Sequence, residues 1–158
     1  MKAVIPAAKK KESLFPFSES KPTSLIPLKG EPLILQTIKK LKNLGIDEIY
    51  VIVNYKEKMF RQVLEERTDV NIVLQEDLSG TAEALKQVDF IEEEFLVINS
   101  DVVISENDLD RLIQNHDSDL SLLATDESKA EKFGVLSIQN DEIVGMAEKP
   151  EEPENTLV

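Results

Sequence analysis

Apolar and polar positions follow two alternating periods along this chain. Ala3-Val4-Ile5 is a short unbroken apolar run and predicts a buried strand over 2–6. Leu35, Ile38, Leu41 and Leu44 then recur at helical spacing within 32–44, and Gly45 is a stop signal for that helix. The run EIYVIV over 48–53 reads as a second buried strand, and 56–67 as a helix with Met59, Val63 and Leu64 inward. A third strand is expected over 70–74. Ser79 is a candidate cap for a helix reaching residue 88, because Ser79-Gly80-Thr81-Ala82 precedes a helix-favouring stretch. A fourth strand is expected over 95–98. Ser105, with Asp108 three residues on, caps a helix through 114. A fifth strand is expected over 120–124. Residues 133–139 and 142–148 then form a hairpin turning at Asn140-Asp141.

Strands separated by helices of this length connect through right-handed crossovers. The pattern predicts an α/β fold with a Rossmann-like, mostly parallel sheet and helices on both faces. Ligands in such sheets bind outside the carboxyl ends of the strands. Residues 6–24, 75–81 and 99–103 should converge there. One domain over 1–149 is expected, followed by an acidic, proline-rich tail over 150–158. Either that tail marks the point where a longer protein continues, or the domain is naturally short.

Composition narrows the function classes. The chain has 158 residues, 41% hydrophobic and 31% charged, which suits one soluble domain. No apolar run approaches the roughly 18 residues that span a membrane. The first apolar stretch is too short for a signal peptide, so the expected location is the cytoplasm. With no cysteine and a single histidine, thiolate and multi-histidine metal sites are excluded. His116 ends the helix expected before it, and a capping role suits it better than catalysis. The net charge of −13 is uneven. Residues 1–45 hold nine Lys against three Asp or Glu, a net of +6, and 46–158 carry −19. Such a chain repels nucleic acid. Its basic first third either holds a small anion or is a solvated surface.

Seven short motifs occur in a telling order. They are Lys2-Ala3-Val4-Ile5-Pro6-Ala7-Ala8, the segment PTSLIPLKGEP over 22–32, Gly45-Ile46-Asp47-Glu48-Ile49, Gln75 with Gly80-Thr81-Ala82, Asn99-Ser100-Asp101-Val102, Phe133-Gly134-Val135 and Glu148-Lys149-Pro150. Across nearly the whole chain the sequence resembles the sugar-1-phosphate nucleotidyltransferases, which join a nucleoside triphosphate to a sugar 1-phosphate and release pyrophosphate. The resemblance implies nucleotide contacts at Ala7, Ala8, Gln75, Gly80 and Thr81, with Gln75 and Gly80 facing the base. It implies Mg²⁺ at Asp101, sugar contacts at Gly134 and Glu148, and a catalytic role for Lys149 at the sugar phosphate. The partners it implies are a nucleoside triphosphate or sugar nucleotide, within a homo- or hetero-oligomer, and neither nucleic acid nor membrane.

The first loop departs from the family's L-A-A-G-x-G-T-R-x-x-P pattern. Lys9 and Lys11 stand at the two glycine positions, Glu12 at the threonine and Ser13 at the arginine. Further on, Thr23 and Ser24 replace the Lys-Pro of P-K-P. Glycines in such loops let amide N–H groups approach phosphate, and arginine grips it with a planar fork. Phosphoryl transfer depends on positioned charge, so the replacements predict weak or absent turnover. The family also takes a second metal-binding aspartate from beyond its E-K-P motif, and nothing after Pro150 matches it. Three readings remain: a nucleotide-binding domain or assembly subunit with little or no turnover; an active transferase using Lys9, Lys10 or Lys11 on phosphates; and a partner-binding module without a ligand.

Overall fold

The computed structural model describes residues 1–9, 14–76, 80–140 and 142–158. The expected Ser79 cap, and Lys10, Lys11, Glu12 and Ser13 of the first loop, lie outside the described residues. In chain order the elements are β1 (Lys2–Pro6), α1 (Phe17–Ser20), β2 (Pro27–Leu28), β3 (Glu31–Pro32), α2 (Leu33–Asn43), β4 (Ile49–Val53), α3 (Glu57–Leu64), β5 (Val70–Leu74), α4 (Thr81–Lys86), β6 (Phe95–Val97), α5 (Glu106–Gln114), β7 (Gly134–Gln139) and β8 (Glu142–Glu148). They fall into two compact units, Met1–Leu109 and Asp110–Val158.

The first unit is built on a four-stranded sheet of order β5-β4-β1-β6, and all three strand pairs are parallel. Every residue of β4 is buried, as a central strand covered on both faces requires. On one face Val4, Tyr50 and Ile52 pack with Ala84, Val88 and Ile91, which brings in α4. Ala3, Ile5, Ile49, Val51 and Val53, the alternate residues, are fully buried on the other. Right-handed crossovers assign that second face to α2 and α3, whose buried residues include Ile34, Ile38, Leu41, Phe60 and Leu64.

Helix ends follow the expected chemistry. At the end of α2, Ile46 N–H donates to Leu41 O and Gly45 N–H to Lys42 O, with Gly45 at φ +78°. That pair of bonds is a Schellman motif, and the left-handed residue it needs is the glycine. At α5, Asp108 N–H donates to Ser105 Oγ at 3.0 Å and the Ser105 hydroxyl donates to Asp108 Oδ2 at 2.6 Å. The N-cap position of α4 is Gly80.

Two expectations are corrected. Phe60 and Leu64 form the inward row of α3, and Met59 and Val63 are only half-buried. Met59 with Val63 and Phe60 with Leu64 are neighbouring rows of the same helix, and the row that carries the large aromatic ring is the one that is buried. Residues 120–124 form no strand, and Leu120, Leu122 and Leu123 are exposed. A short apolar run supplies the side chains of a strand but not its backbone partners. In the second unit the pairing lies a few residues on. Thr125 and Val158 exchange backbone hydrogen bonds, and Asp126 bridges Leu157 antiparallel. The hairpin β7–β8 forms as expected, with Asn140 at φ +52° in its turn.

Candidate functional site

The sheet of the first unit changes direction once. The chain runs outward from β1 to β4 and β5, then returns to place β6 on the other side of β1. A reversal of this kind between β1 and β6 marks the place, outside the strand carboxyl ends, where open α/β sheets bind ligands.

The first group of expected residues lies along this edge. Ala7 and Ala8 continue β1 and are nearly fully buried; Ala7 N–H donates to Ile52 O at 2.7 Å, and Tyr55 N–H donates to Ala8 O at 3.2 Å. Their small side chains keep the strand end uncrowded. Ser100 N–H donates to Pro6 O at 3.3 Å, which ties the loop after β6 to the end of β1. Asp101 follows directly, half-buried, in a turn closed by Val102 N–H to Asn99 O at 3.2 Å.

Gln75 ends β5. Its N–H donates to Val53 O at 2.9 Å, its carbonyl accepts from Asn54 Nδ2 at 2.8 Å, and its side chain is buried. The side-chain amide reaches toward Gly80 O at 3.5 Å. Gly80 has φ +133° and ψ −179°, a region essentially closed to other residues, and Thr81 opens α4 on the surface.

The second group lies in the second unit. Gly134 and Glu148 are direct cross-strand partners at the open end of the hairpin. A Cβ on Gly134 would come within 3.2 Å of Met146 Sδ and 3.3 Å of Glu148 Oε2. Lys149 adopts φ +46°, unusual for a residue with a side chain; its N–H donates to Phe133 O at 2.9 Å and its ammonium lies 3.4 Å from Glu148 Oε1. The expected residues thus form two local clusters, one in each unit. His116 Nδ1 lies 2.8 Å from Ser121 Oγ, in the loop after α5.

Sequence reasoning missed the turn after β4. Asn54, Tyr55 and Lys56 stand at the same strand edge, and the rule that selected 6–24, 75–81 and 99–103 applies equally to them. Two buried hydroxyls near the edge, Ser18 Oγ and Thr23 Oγ1, have no hydrogen-bond partner among the described residues.

The resolved pKa shifts lie elsewhere. At the opposite edge of the sheet Glu93 accepts from Lys2 at 2.7 Å, holding the lysine above its usual range, and Lys2 holds the Glu93 carboxyl below its own. The Lys42–Asp47 hydrogen bond at 2.7 Å does the same at the end of α2. These are exposed structural pairs. Among the described residues no three His, Cys, Asp or Glu side chains gather as a metal cage, and no helix is long and apolar enough to cross a membrane.

A parallel sheet with one reversal of strand order defines the open, doubly wound α/β class. Comparison with known proteins places it more closely. Residues 2–158 match the family model described as nucleotidyl transferase, and the chain belongs to that family. It is 32% identical, over its full length, to the bifunctional protein GlmU of Methanocaldococcus jannaschii, covering 38% of that protein. It is 31% identical to the UTP–glucose-1-phosphate uridylyltransferase AglF of Haloferax volcanii, covering all of this chain and 69% of that one. The chain spans well under half the length of the GlmU relatives it matches. A structure assigned as a glucose-1-phosphate thymidylyltransferase from Bacillus anthracis superposes with a TM-score of 0.83 over 99% of this chain and 68% of that one, at 25% identity.

Proposed function

We propose that this sugar-1-phosphate nucleotidyltransferase-like chain binds a nucleotide or sugar nucleotide at the strand-end crevice and turns it over weakly or not at all. The observation that carries the reading is a contrast. The backbone framework of the crevice is kept at Ala7, Ala8, Gln75, Gly80 and Asp101, while the charge-bearing and glycine positions 9, 11, 13 and 23 hold Lys, Lys, Ser and Thr. In this reading the base lies against Gln75 and Gly80, beside Ala7, Ala8 and Thr81. Within the second unit, Gly134 and Glu148 are the proposed sugar contacts and Lys149 the proposed contact for a sugar phosphate.

The donor set suits magnesium only in part. Asp101 offers one half-buried carboxylate at the strand end, and Mg²⁺ is commonly held by one or two carboxylates with substrate phosphates completing the shell. When bound, the ion would neutralise phosphate charge. The chain's own part is to orient the nucleotide, and Ser13 supplies none of the planar, fixed charge that arginine brings to a phosphate. Uridine and thymidine nucleotides with glucose 1-phosphate are the first substrates to test, given what the relatives are named for.

Pyrophosphate release decides the catalytic half. The unmodified chain with UTP or dTTP, glucose 1-phosphate and Mg²⁺ is expected to release none above background. A variant carrying Lys9→Gly, Lys11→Gly, Ser13→Arg and Thr23→Lys is expected to gain triphosphate affinity before it gains turnover. Robust release by the unmodified chain, lost in Asp101→Asn, would overturn the reading in favour of an active enzyme whose lysine run serves the phosphates.

An assembly role has its own support. Phe133, Val144 and Met146 are exposed on and beside the hairpin. A contiguous apolar patch on this hairpin would serve as an interaction surface. Light scattering that finds a monomer at every concentration would remove self-association.

A further inference from the structure

The turn after β4 bonds to Ala8 at the end of β1 and to α1. On one side, Tyr55 N–H donates to Ala8 O at 3.2 Å, where the loop leaves β1. On the other, the Tyr55 hydroxyl lies 2.9 Å from Ser18 O and 3.1 Å from Glu19 O, in the short helix α1. One phenolic proton serves these two carbonyls. Lys56 adds a third tie by donating from Nζ to Glu19 O, and its ammonium sits 5.4 Å from the centre of the Tyr55 ring. Lys56 reaches this position from a left-handed backbone, φ +55° and ψ +39°, at the N-cap of α3. A residue with a Cβ is disfavoured there, and such conformations concentrate where function requires them. Two consecutive residues of a strained turn therefore tie Ala8, at the end of β1, to Ser18 and Glu19 in α1.

We infer that Tyr55 and Lys56 are positioning residues, a clamp that ties α1 to the end of β1 and so sets how the strand end receives nucleotide phosphates. The inference rests on the nucleotide-binding reading, but the clamp itself is measurable without ligand. Tyr55→Phe keeps the ring and removes the donated hydrogen bond. Lys56→Gly removes the ammonium and relieves the backbone. Lys56→Arg keeps a cation within reach of Glu19 O.

The test combines hydrogen exchange of the Leu14–Lys21 amides in the free chain, calorimetric titration with UTP and Mg²⁺, and thermal melts. Tyr55→Phe should exchange these amides about fivefold faster and bind UTP about fivefold more weakly, the scale of one neutral hydrogen bond. Lys56→Gly should also bind more weakly yet melt no lower than the wild type, and Lys56→Arg should restore affinity. A merely structural pair would lose melting temperature and affinity together. Unchanged exchange in both single variants overturns the clamp. Faster exchange with unchanged UTP affinity overturns its link to the nucleotide. If the wild type binds no nucleotide at all, the functional reading fails, and the clamp stands or falls on exchange alone.

Discussion

Gly134 owes its identity to its neighbours. Its backbone is available to any residue, but Met146 and Glu148 fill the space a side chain would need. Gly134→Ala is expected to push the Glu148 carboxylate from its place over the strand and to weaken UDP-glucose binding on the order of tenfold, the loss of about one charge-assisted hydrogen bond. Calorimetric titration checks this; an unchanged affinity would separate Glu148 from the sugar. Thr23 presents the opposite case. Its hydroxyl is buried and has no hydrogen-bond partner among the described residues. Thr23→Val, close in volume, is expected to raise stability by about 1 kcal/mol. Urea unfolding should show the midpoint rising at constant slope, and a lower midpoint would mean the hydroxyl has a partner.

Elements are joined by exposed ion pairs whose pH dependence follows from the direction of their shifts. Lys42 on α2 holds Asp47, just before β4, and lies 3.6 Å from Asp69, just before β5. Asp47 is lowered below 3.8, so its contribution is present above that value and is lost as pH falls through its lower folded pKa. Lys42 is raised above 10.5, so its share is complete below that value and is lost only as pH rises beyond it. Asp47→Asn should therefore lower the melting temperature slightly and by a constant amount from about pH 6 to 9, and the difference should close below about pH 4 or in concentrated salt. A gap that persists in acid would assign the effect to packing.

What the sequence revealed at this scale depended on how much of each element's stability its own residues encode. The runs over 2–6 and 49–53 carry their burial in composition, and Gly45 and Ser105 carry their helix ends in local chemistry. Residues 120–124 look the same by composition, but pairing is a property of two strands, and the partner of 125–127 arrives only at 156–158. The candidate site divides similarly. Ala7, Gln75 and Asp101 could be placed because each follows a strand, whereas Tyr55 and Lys56 escaped notice because their work is done through carbonyls of residues 8, 18 and 19. No spacing in the sequence announces such bonds.

For the whole molecule, charge and ligand pull in different directions. A net charge of −13 works against an anionic nucleotide at long range, and the excess of lysine in residues 1–45 gives it one favourable approach. Binding to the folded state must then appear as stability, by RT ln(1 + [L]/Kd), or about 2.7 kcal/mol at a ligand concentration 100 times Kd. For a domain of this size that corresponds to a rise on the order of 5–10 °C. The most direct measurement is a thermal melt of the unmodified chain with UTP, dTTP, UDP-glucose and dTDP-glucose, each with and without Mg²⁺, beside Asp101→Asn. The account predicts a concentration-dependent rise with at least one of these ligands, and a Mg²⁺-dependent part of it that Asp101→Asn removes. A melting temperature unmoved by all four at millimolar concentration would contradict it.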